Sequence, residues 1–325
     1  MIVVGAGLAG TTLAWQLRRR GLSFALVDKA ESVTSSRVAA GLMTPITGKR
    51  LTKTWRHDDL FPTAVAFYRA VETETGASFF HPRPIVRILM NERECANYFK
   101  RRAEFGALVR EPDPPLNPTW FPTTDGFEMP TAAQLDVPKY LDASRTFFGE
   151  QFVEADVSPE DVAVSAEGVT LPRLNLRANY LIFCQGFAAS WNPLTSDLPF
   201  RAAKGEILTV RIDDFDERRT VNNGHWLTPA GPDLWRFGAT YSWSDFSNTP
   251  TAEARIELQA VLKELVNRPY EIVEQRAAVR PILAGQKPWI GLLEGSRVGV
   301  FNGLGSKGSL MAPYFAGELA QMLGD

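Results

Sequence analysis

The amino-acid sequence predicts a mixed α/β protein (α+β in its middle). A Rossmann-like domain is built from both ends of the chain, and an antiparallel β-sheet domain is inserted into it. Three observations predict this. Residues 1–4 are apolar and run straight into Gly5-Ala6-Gly7-Leu8-Ala9-Gly10, a helical stretch to residue 20, and a second strand at 23–28 that ends in Asp28. Near the other end, strand-like residues 297–301 lead into Asn302-Gly303-Leu304-Gly305-Ser306-Lys307-Gly308 and a helix over 309–323. Between them, residues 200–250 are β in character, with segments 205–212, 226–229 and 234–241 alternating or rich in aromatics.

The opening glycines have separate physical tasks. Gly5 allows the tight turn out of the strand, Gly7 lets backbone approach a pyrophosphate, and Gly10 lets the helix pack on the strand. Ala6, Leu8 and Ala9 complete that loop, and the helix start offers free N–H groups to phosphate. Asp28 lies eighteen residues beyond Gly10, with Lys29 after it. A carboxylate there accepts bonds from ribose hydroxyls and repels a 2′-phosphate, which disfavours NADP. The competing reading is a glycine-rich turn in some other α/β protein.

Composition narrows the class. The chain has 325 residues, 45% apolar and 22% charged, with a net charge of −2. Nothing in that balance marks a nucleic-acid or anionic-membrane binder. The two cysteines, Cys95 and Cys184, are far apart, which argues for a reducing, cytoplasmic setting rather than a disulfide scaffold. Cys184 reads as a small buried hydrophobe. No apolar run reaches the length of a membrane span, and the first residues read as a strand rather than a signal.

The remaining elements follow in order. Residues 30–56 are a long polar loop around Ser35-Ser36-Arg37-Val38-Ala39-Ala40-Gly41-Leu42, read as backbone lying along a cofactor. Residues 57–77 read as a helix, 79–89 as a strand and 92–105 as a helix. Four prolines within 112–118 make a stiff connection. A helix at 137–148 and short strands at 152–159, 162–166 and 169–171 come next. Leu181-Ile182-Phe183-Cys184-Gln185-Gly186 reads as a buried parallel strand meeting a ligand at its carboxyl end. Thr251 caps a helix over 252–266, and 271–280 is a strand followed by Pro281.

These residues together resemble the FAD-dependent D-amino acid oxidase superfamily, the branch of glycine and sarcosine oxidases. The matching pieces are the Gly5–Gly10 turn with Asp28, the loop at 35–41, Cys184-Gln185-Gly186, Lys204-Gly205-Glu206 within 201–206, Arg280-Pro281, Pro288-Trp289-Ile290-Gly291, and 303–313. The resemblance implies FAD-binding segments at 1–78, 136–200 and 281–325, and substrate-domain segments at 79–135 and 201–280. It implies that Gly5, Gly7 and Gly10 hold the pyrophosphate and Asp28 the ribose. Ser36, Arg37, Ala40, Gly41 and Leu42 run beside the pyrophosphate and ring, Val157 meets the adenine side, and Gly186 flanks the flavin. Gly303, Leu304, Gly305, Ser306, Lys307 and Gly308 wrap the ribityl chain and the pyrimidine edge.

Arg280 matches the position that faces a substrate carboxylate. The competing reading there is an interface salt bridge. Two features of the family pattern are missing. No acid follows Arg280-Pro281 within Leu283-Ala284-Gly285-Gln286-Lys287, and no cysteine or histidine stands ready to attach the flavin. Non-covalent FAD is expected.

The implied chemistry is hydride removal from the carbon bearing an amine, with oxygen or another acceptor taking the electrons. The implied substrate is a small amine or amino acid. Arg280, Tyr241 and Lys307 are the residues assigned to it. Trp226, Trp243 and Tyr270 wall the pocket or belong to the sheet core, and His57, His81 and His225 read as structural or exposed. Lys49, Arg50 and Lys53 read as a solvated basic stretch. Three alternatives stand beside this reading: a dehydrogenase using a quinone or carrier, an enzyme acting on the tRNA wobble uridine, and a flavin-bearing subunit or scaffold. No nucleic acid is expected as partner, and an oligomer is allowed.

Overall fold

The computed structural model describes residues 1–324. Its first layer is a six-stranded sheet in the order Phe152–Glu154, Ala25–Asp28, Ile2–Val4, Leu181–Phe183, Val298–Asn302, Trp289–Leu292. All neighbouring pairs are parallel except the last. Parallel strands covered on both faces should be apolar throughout, and Ile2–Val4, Leu181–Phe183 and Val298–Asn302 are buried along their whole length.

The helices Leu8–Arg19 and Gly308–Gly324 pack together on one face of this sheet, and their core includes Leu13, Trp15, Leu310 and Leu319. The buried Trp15 indole donates to Ser144 Oγ (2.9 Å), which joins the helix Val137–Phe148 to the same core. A small antiparallel sheet (Ala163–Ser165, Gly168–Leu171, Leu176–Ala178) covers the other face through Val169 and Leu171. The two chain ends therefore share one sheet and one helical layer.

The second sheet has seven strands in the order Glu271–Arg280, Ala203–Arg211, Leu234–Gly238, Trp226–Gly231, Thr220–Asn222, Ile85–Ile88, Gly126–Met129. It is antiparallel except for the pair Thr220–Asn222 and Ile85–Ile88. The helix Ala252–Leu265 closes one face over Leu208, Val210, Trp235 and Phe237. Thr251 caps it as expected, its side chain accepting from Ala254 N (3.3 Å). The other face is left for the cavity described below.

The structure departs from the sequence reading in three places. Residues 79–89 form two strands, Phe80–Pro82 and Ile85–Ile88, in different sheets. Pro82 and Pro84 lack the N–H that one continuous ladder would need. The long polar loop contains a one-turn helix, Ser35–Val38, and buries Met43, Pro45, Ile46 and Leu51. The strand read over 234–241 ends at Gly238, and residues 240–242 instead bridge to residues 204–206.

Candidate active site

The opening turn is built almost wholly from backbone. A Cβ on Gly10 would stand 1.9 Å from Gly5 O, and one on Gly5 would stand 2.5 Å from Cys184 O. These two glycines therefore set how closely strand, helix and the strand at 181–183 approach. Thr11 N makes the first helical bond, to Gly7 O. Leu8 N donates to Ser36 Oγ (3.0 Å), while Gly7, at the N-cap, has no side chain to offer. The N–H groups of Ala9 and Gly10 are left for an anion, with the positive end of the helix dipole behind them.

Asp28 does more here than its sequence position suggests. Its carboxylate accepts from Ala6 N and Ala30 N, both at 2.7 Å, and so holds the turn itself. Each oxygen keeps a lone pair for a further donor. Lys29 pairs with Glu31 (2.8 Å), and Arg37 turns to Asp142 (2.5 Å), so neither side chain reaches the cavity. Val157 is buried, and its carbonyl accepts from Gln185 Nε2 (3.4 Å).

The closing turn meets the turn at residue 186 through Asn302, which the sequence reading did not single out. Asn302 Nδ2 donates to Gly186 O (2.8 Å), and its Oδ1 accepts from Gly303 N (2.7 Å). One buried side chain thereby ties the turn at 186 to the turn at 303. Gly303 has a φ of +82°, and a Cβ there would press on Leu283. Lys307 sits at the start of the closing helix, and burial lowers its ammonium below the ordinary lysine range.

Between the two sheets lies a cavity of about 500 Å³. Of the residues expected at a cofactor, Gly7, Leu8, Ala9, Ser36, Ala40, Gly41, Leu42 and Gly186 line it, as do Leu304, Gly305, Ser306, Lys307 and Gly308. Gly5, Ala6, Gly10, Asp28 and Val157 are not part of that lining, and Gly303 lines a second, adjoining cavity instead. Among the described residues no Asp or Glu lines the cavity, while Lys49, Arg87, Arg280 and Lys307 do. Such a wall suits polyanionic contents and disfavours a bound cation.

The opposite wall carries Arg280 and Tyr241. The Arg280 guanidinium lies over the Tyr241 ring, 4.1 Å from its centroid, and donates from both terminal nitrogens to Thr240 O (3.3 Å each). It has no carboxylate partner among the described residues, so the salt-bridge reading does not describe it. Burial lowers its pKa. A desolvated guanidinium with unused N–H groups facing a cavity is a ready donor to a carboxylate.

Other aromatics divide by location. Trp226 lines this cavity, whereas Tyr270 packs against the helix Ala252–Leu265 and donates to Gln259 O (3.4 Å). Trp243 lines a second, adjoining cavity of about 1190 Å³, with Trp55, Phe200, Phe246, Arg201 and Lys287. Tyr241 and residues 304–307 border both cavities. None of the three histidines lines either one; His57 is buried against Phe61, and burial lowers its pKa. Lys49 faces the first cavity, while Lys53 pairs with Asp58 (2.6 Å).

Sequence reasoning also missed Arg87 and Asn222, which line the first cavity and are joined by a 2.5 Å hydrogen bond. They lie opposite each other on paired strands, a relation with no signal in the linear chain. Among the described residues no cluster of metal-ligating side chains occurs, and no helix is long and apolar enough to cross a membrane.

A model of the FAD-dependent oxidoreductase family (DAO) matches residues 1–322. The chain is 23% identical to glycine oxidase of Pseudomonas aeruginosa over 340 residues, covering 92% of this chain and 84% of that one. It is 25% identical to the tRNA 5-methylaminomethyl-2-thiouridine biosynthesis bifunctional protein of Marinobacter nauticus, covering 99% of this chain but only 55% of that relative. Among solved structures, glycine oxidase from Geobacillus kaustophilus superposes with a TM-score of 0.82 at 18% identity, over 99% of this chain and 93% of the other.

Proposed function

We propose, from the premise that this chain belongs to the FAD-dependent oxidoreductase family, that it oxidises the C–N bond of a small amine bearing a carboxylate, an amino acid of the glycine, sarcosine or D-amino acid type. The observation that carries the proposal is Arg280. It is a half-buried guanidinium with no carboxylate partner among the described residues, on one wall of a cavity whose other wall is a nucleotide cradle.

The residues fit FAD. Two helix starts with free N–H groups, at Ala9–Gly10 and at Gly308–Ser309, together with the half-buried Lys307, meet the needs of a pyrophosphate and an electron-rich ring. In this reading Gly7, Ala9 and Gly10 hold the pyrophosphate, Asp28 the ribose, and Ala40, Gly41 and Leu42 the ring. Gly305, Ser306 and Lys307 hold its pyrimidine edge. When bound, the flavin supplies the acceptor for a hydride.

The protein's own residues do the rest. Arg280 holds the substrate carboxylate in a two-pronged grip, and Tyr241 shields that pair from water, which strengthens it. With no acid on the wall, an ammonium is disfavoured and the amine is bound neutral. Its lone pair then assists departure of the hydride without a dedicated base. Lys307 stabilises negative charge that grows on the ring during transfer. The iminium product is released to water, which takes its proton and hydrolyses it.

Anaerobic mixing of the yellow protein with glycine, sarcosine, D-amino acids and cyclic imino acids tests this reading. Loss of the flavin's visible absorbance with at least one of them is expected. Persistence of the colour with all of them would contradict it and favour a subunit without activity of its own.

A second reading has one observation in its favour. The second cavity combines Trp55, Phe246 and Trp243 with Arg201, Lys287 and Lys307 and has no acid among the described residues. That mixture suits a stacked base with phosphates. It accords with the curated relative named for tRNA modification. Binding of bulk tRNA that weakens as salt rises would support it, and the net charge of −2 counts against it.

A further inference from the structure

The strand Ala203–Arg211 runs between two neighbours, Glu271–Arg280 on one side and Leu234–Gly238 with its continuation at residues 240–242 on the other. Arg280 starts on the first neighbour, opposite Ala203, yet its guanidinium ends on Thr240 and Tyr241 of the second. It must therefore cross the strand between them, and it crosses at Gly205. A Cβ built on Gly205 would lie 1.9 Å from Arg280 Nη2 and 2.2 Å from Cζ. No side chain but hydrogen leaves that path open.

Successive residues of a strand point to opposite faces. Gly205 faces the cavity, so Lys204 and Glu206 face away, and both are buried. Lys204 Nζ donates to Asp245 Oδ2 (2.5 Å), Ser247 Oγ (3.3 Å) and Thr249 O (2.5 Å). Glu206 accepts from Thr251 N and Thr251 Oγ1 (2.9 Å each) and from Gln275 Nε2 (2.8 Å). Its backbone N–H donates to Thr240 Oγ1 (3.0 Å), and its carbonyl accepts from Thr240 N (3.2 Å). Every one of these partners except Gln275 lies within 240–251, the segment that carries Thr240 and Tyr241. The Lys204 ammonium and Ser247 N–H together pull the Asp245 carboxyl down to about 2.

We infer that Lys204-Gly205-Glu206 is the positioning element of the carboxylate site: Gly205 is the gap through which Arg280 reaches the cavity, and Lys204 and Glu206 fix the segment on which its guanidinium rests. None of the three touches substrate; they act through Arg280. The inference rests on the reading of Arg280 given above and names what makes that arginine competent.

The test uses the FAD-loaded protein and methoxyacetate, a sarcosine isostere with oxygen in place of nitrogen, its dissociation constant read from the shift of the flavin's visible spectrum. Arg280→Ala should weaken binding about a hundredfold. Gly205→Ala should weaken it at least about tenfold while flavin content and Tm stay near wild type. In the Arg280→Ala background, Gly205→Ala should add almost nothing, because both changes remove the same grip. Should Gly205→Ala fail to fold, Lys204→Met provides the second arm. It should weaken methoxyacetate binding only where Arg280 is present and should open residues 243–250 to limited proteolysis.

An unchanged constant in Gly205→Ala, or additive effects of the two substitutions, overturns the inference alone. An unchanged constant in Arg280→Ala overturns the carboxylate site and this inference with it.

Discussion

The two walls of the cavity are made in different ways. The cofactor wall is contiguous backbone: the turns at 5–10 and 303–308, two helix starts, and glycines whose missing side chains let strands and helices meet. The substrate wall is a side-chain construction. Its key cation, Arg280, is placed by Gly205 on one neighbouring strand and by Thr240 and Tyr241 on the continuation of the next. A wall of backbone tolerates change in the side chains around it and fails when a glycine gains one. A wall of crossing side chains can be retuned or lost residue by residue while the fold persists.

Substitutions can break or sharpen that contrast. The largest effect belongs to the backbone wall. Gly10→Ala forces a methyl onto Gly5 O, and it should cost about 3 kcal/mol or more of stability together with flavin retention. Denaturant midpoints and the absorbance of the purified variant measure both, and a stable yellow Gly10→Ala protein would break the contrast. Arg280→Ala should leave stability and flavin content near wild type while raising KM for a carboxylate substrate about a hundredfold, roughly 2.7 kcal/mol. An equal loss of FAD would mean that the walls are not separable.

Asp28→Ala should fall next. It removes the acceptor of two backbone N–H groups inside the opening turn, and a loss of about 2 kcal/mol is expected. Flavin release on dilution should rise with it; unaltered retention would remove Asp28 from the cradle.

The smallest effect is one of pH at the closing turn. Burial holds the Lys307 pKa below the ordinary lysine value. Phosphate or ring oxygens brought near it would restore its proton, so FAD binding takes up a proton in the window between the two pKa values. FAD affinity should therefore be greatest below the lowered pKa and decline as pH rises through it. Lys307→Met should bind about tenfold more weakly at neutral pH and lose that decline. Titration of apoprotein with FAD by fluorescence at several pH values reads both effects.

The same contrast explains what the sequence disclosed. The opening turn, Asp28 and the closing turn are local: spacing within thirty residues carries their geometry, so they are legible on first reading. The strand at 271–280 and the helix capped by Thr251 were legible for the same reason. Arg280 was found through family resemblance, but its supports were not. Nothing in the linear chain places Gly205 beneath an arginine seventy-five residues away, or Arg87 beside Asn222. Asn302 was visible only as the edge of a glycine turn, since its two bonds depend on where residue 186 comes to rest. Asp28 shows the converse: its place at the end of the second strand is legible, but its bonds to Ala6 and Ala30 depend on the folded loop.

The most direct measurement is a crystal structure of the FAD-loaded protein soaked with methoxyacetate. The account predicts one FAD per chain with its pyrophosphate at Ala9–Gly10 and its ring against residues 40–42 and 305–307. The carboxylate should lie within hydrogen-bond distance of Arg280, on the Tyr241 side of the ring. A flavin that leaves one of the two glycine turns untouched, or a carboxylate bound away from Arg280, would contradict it.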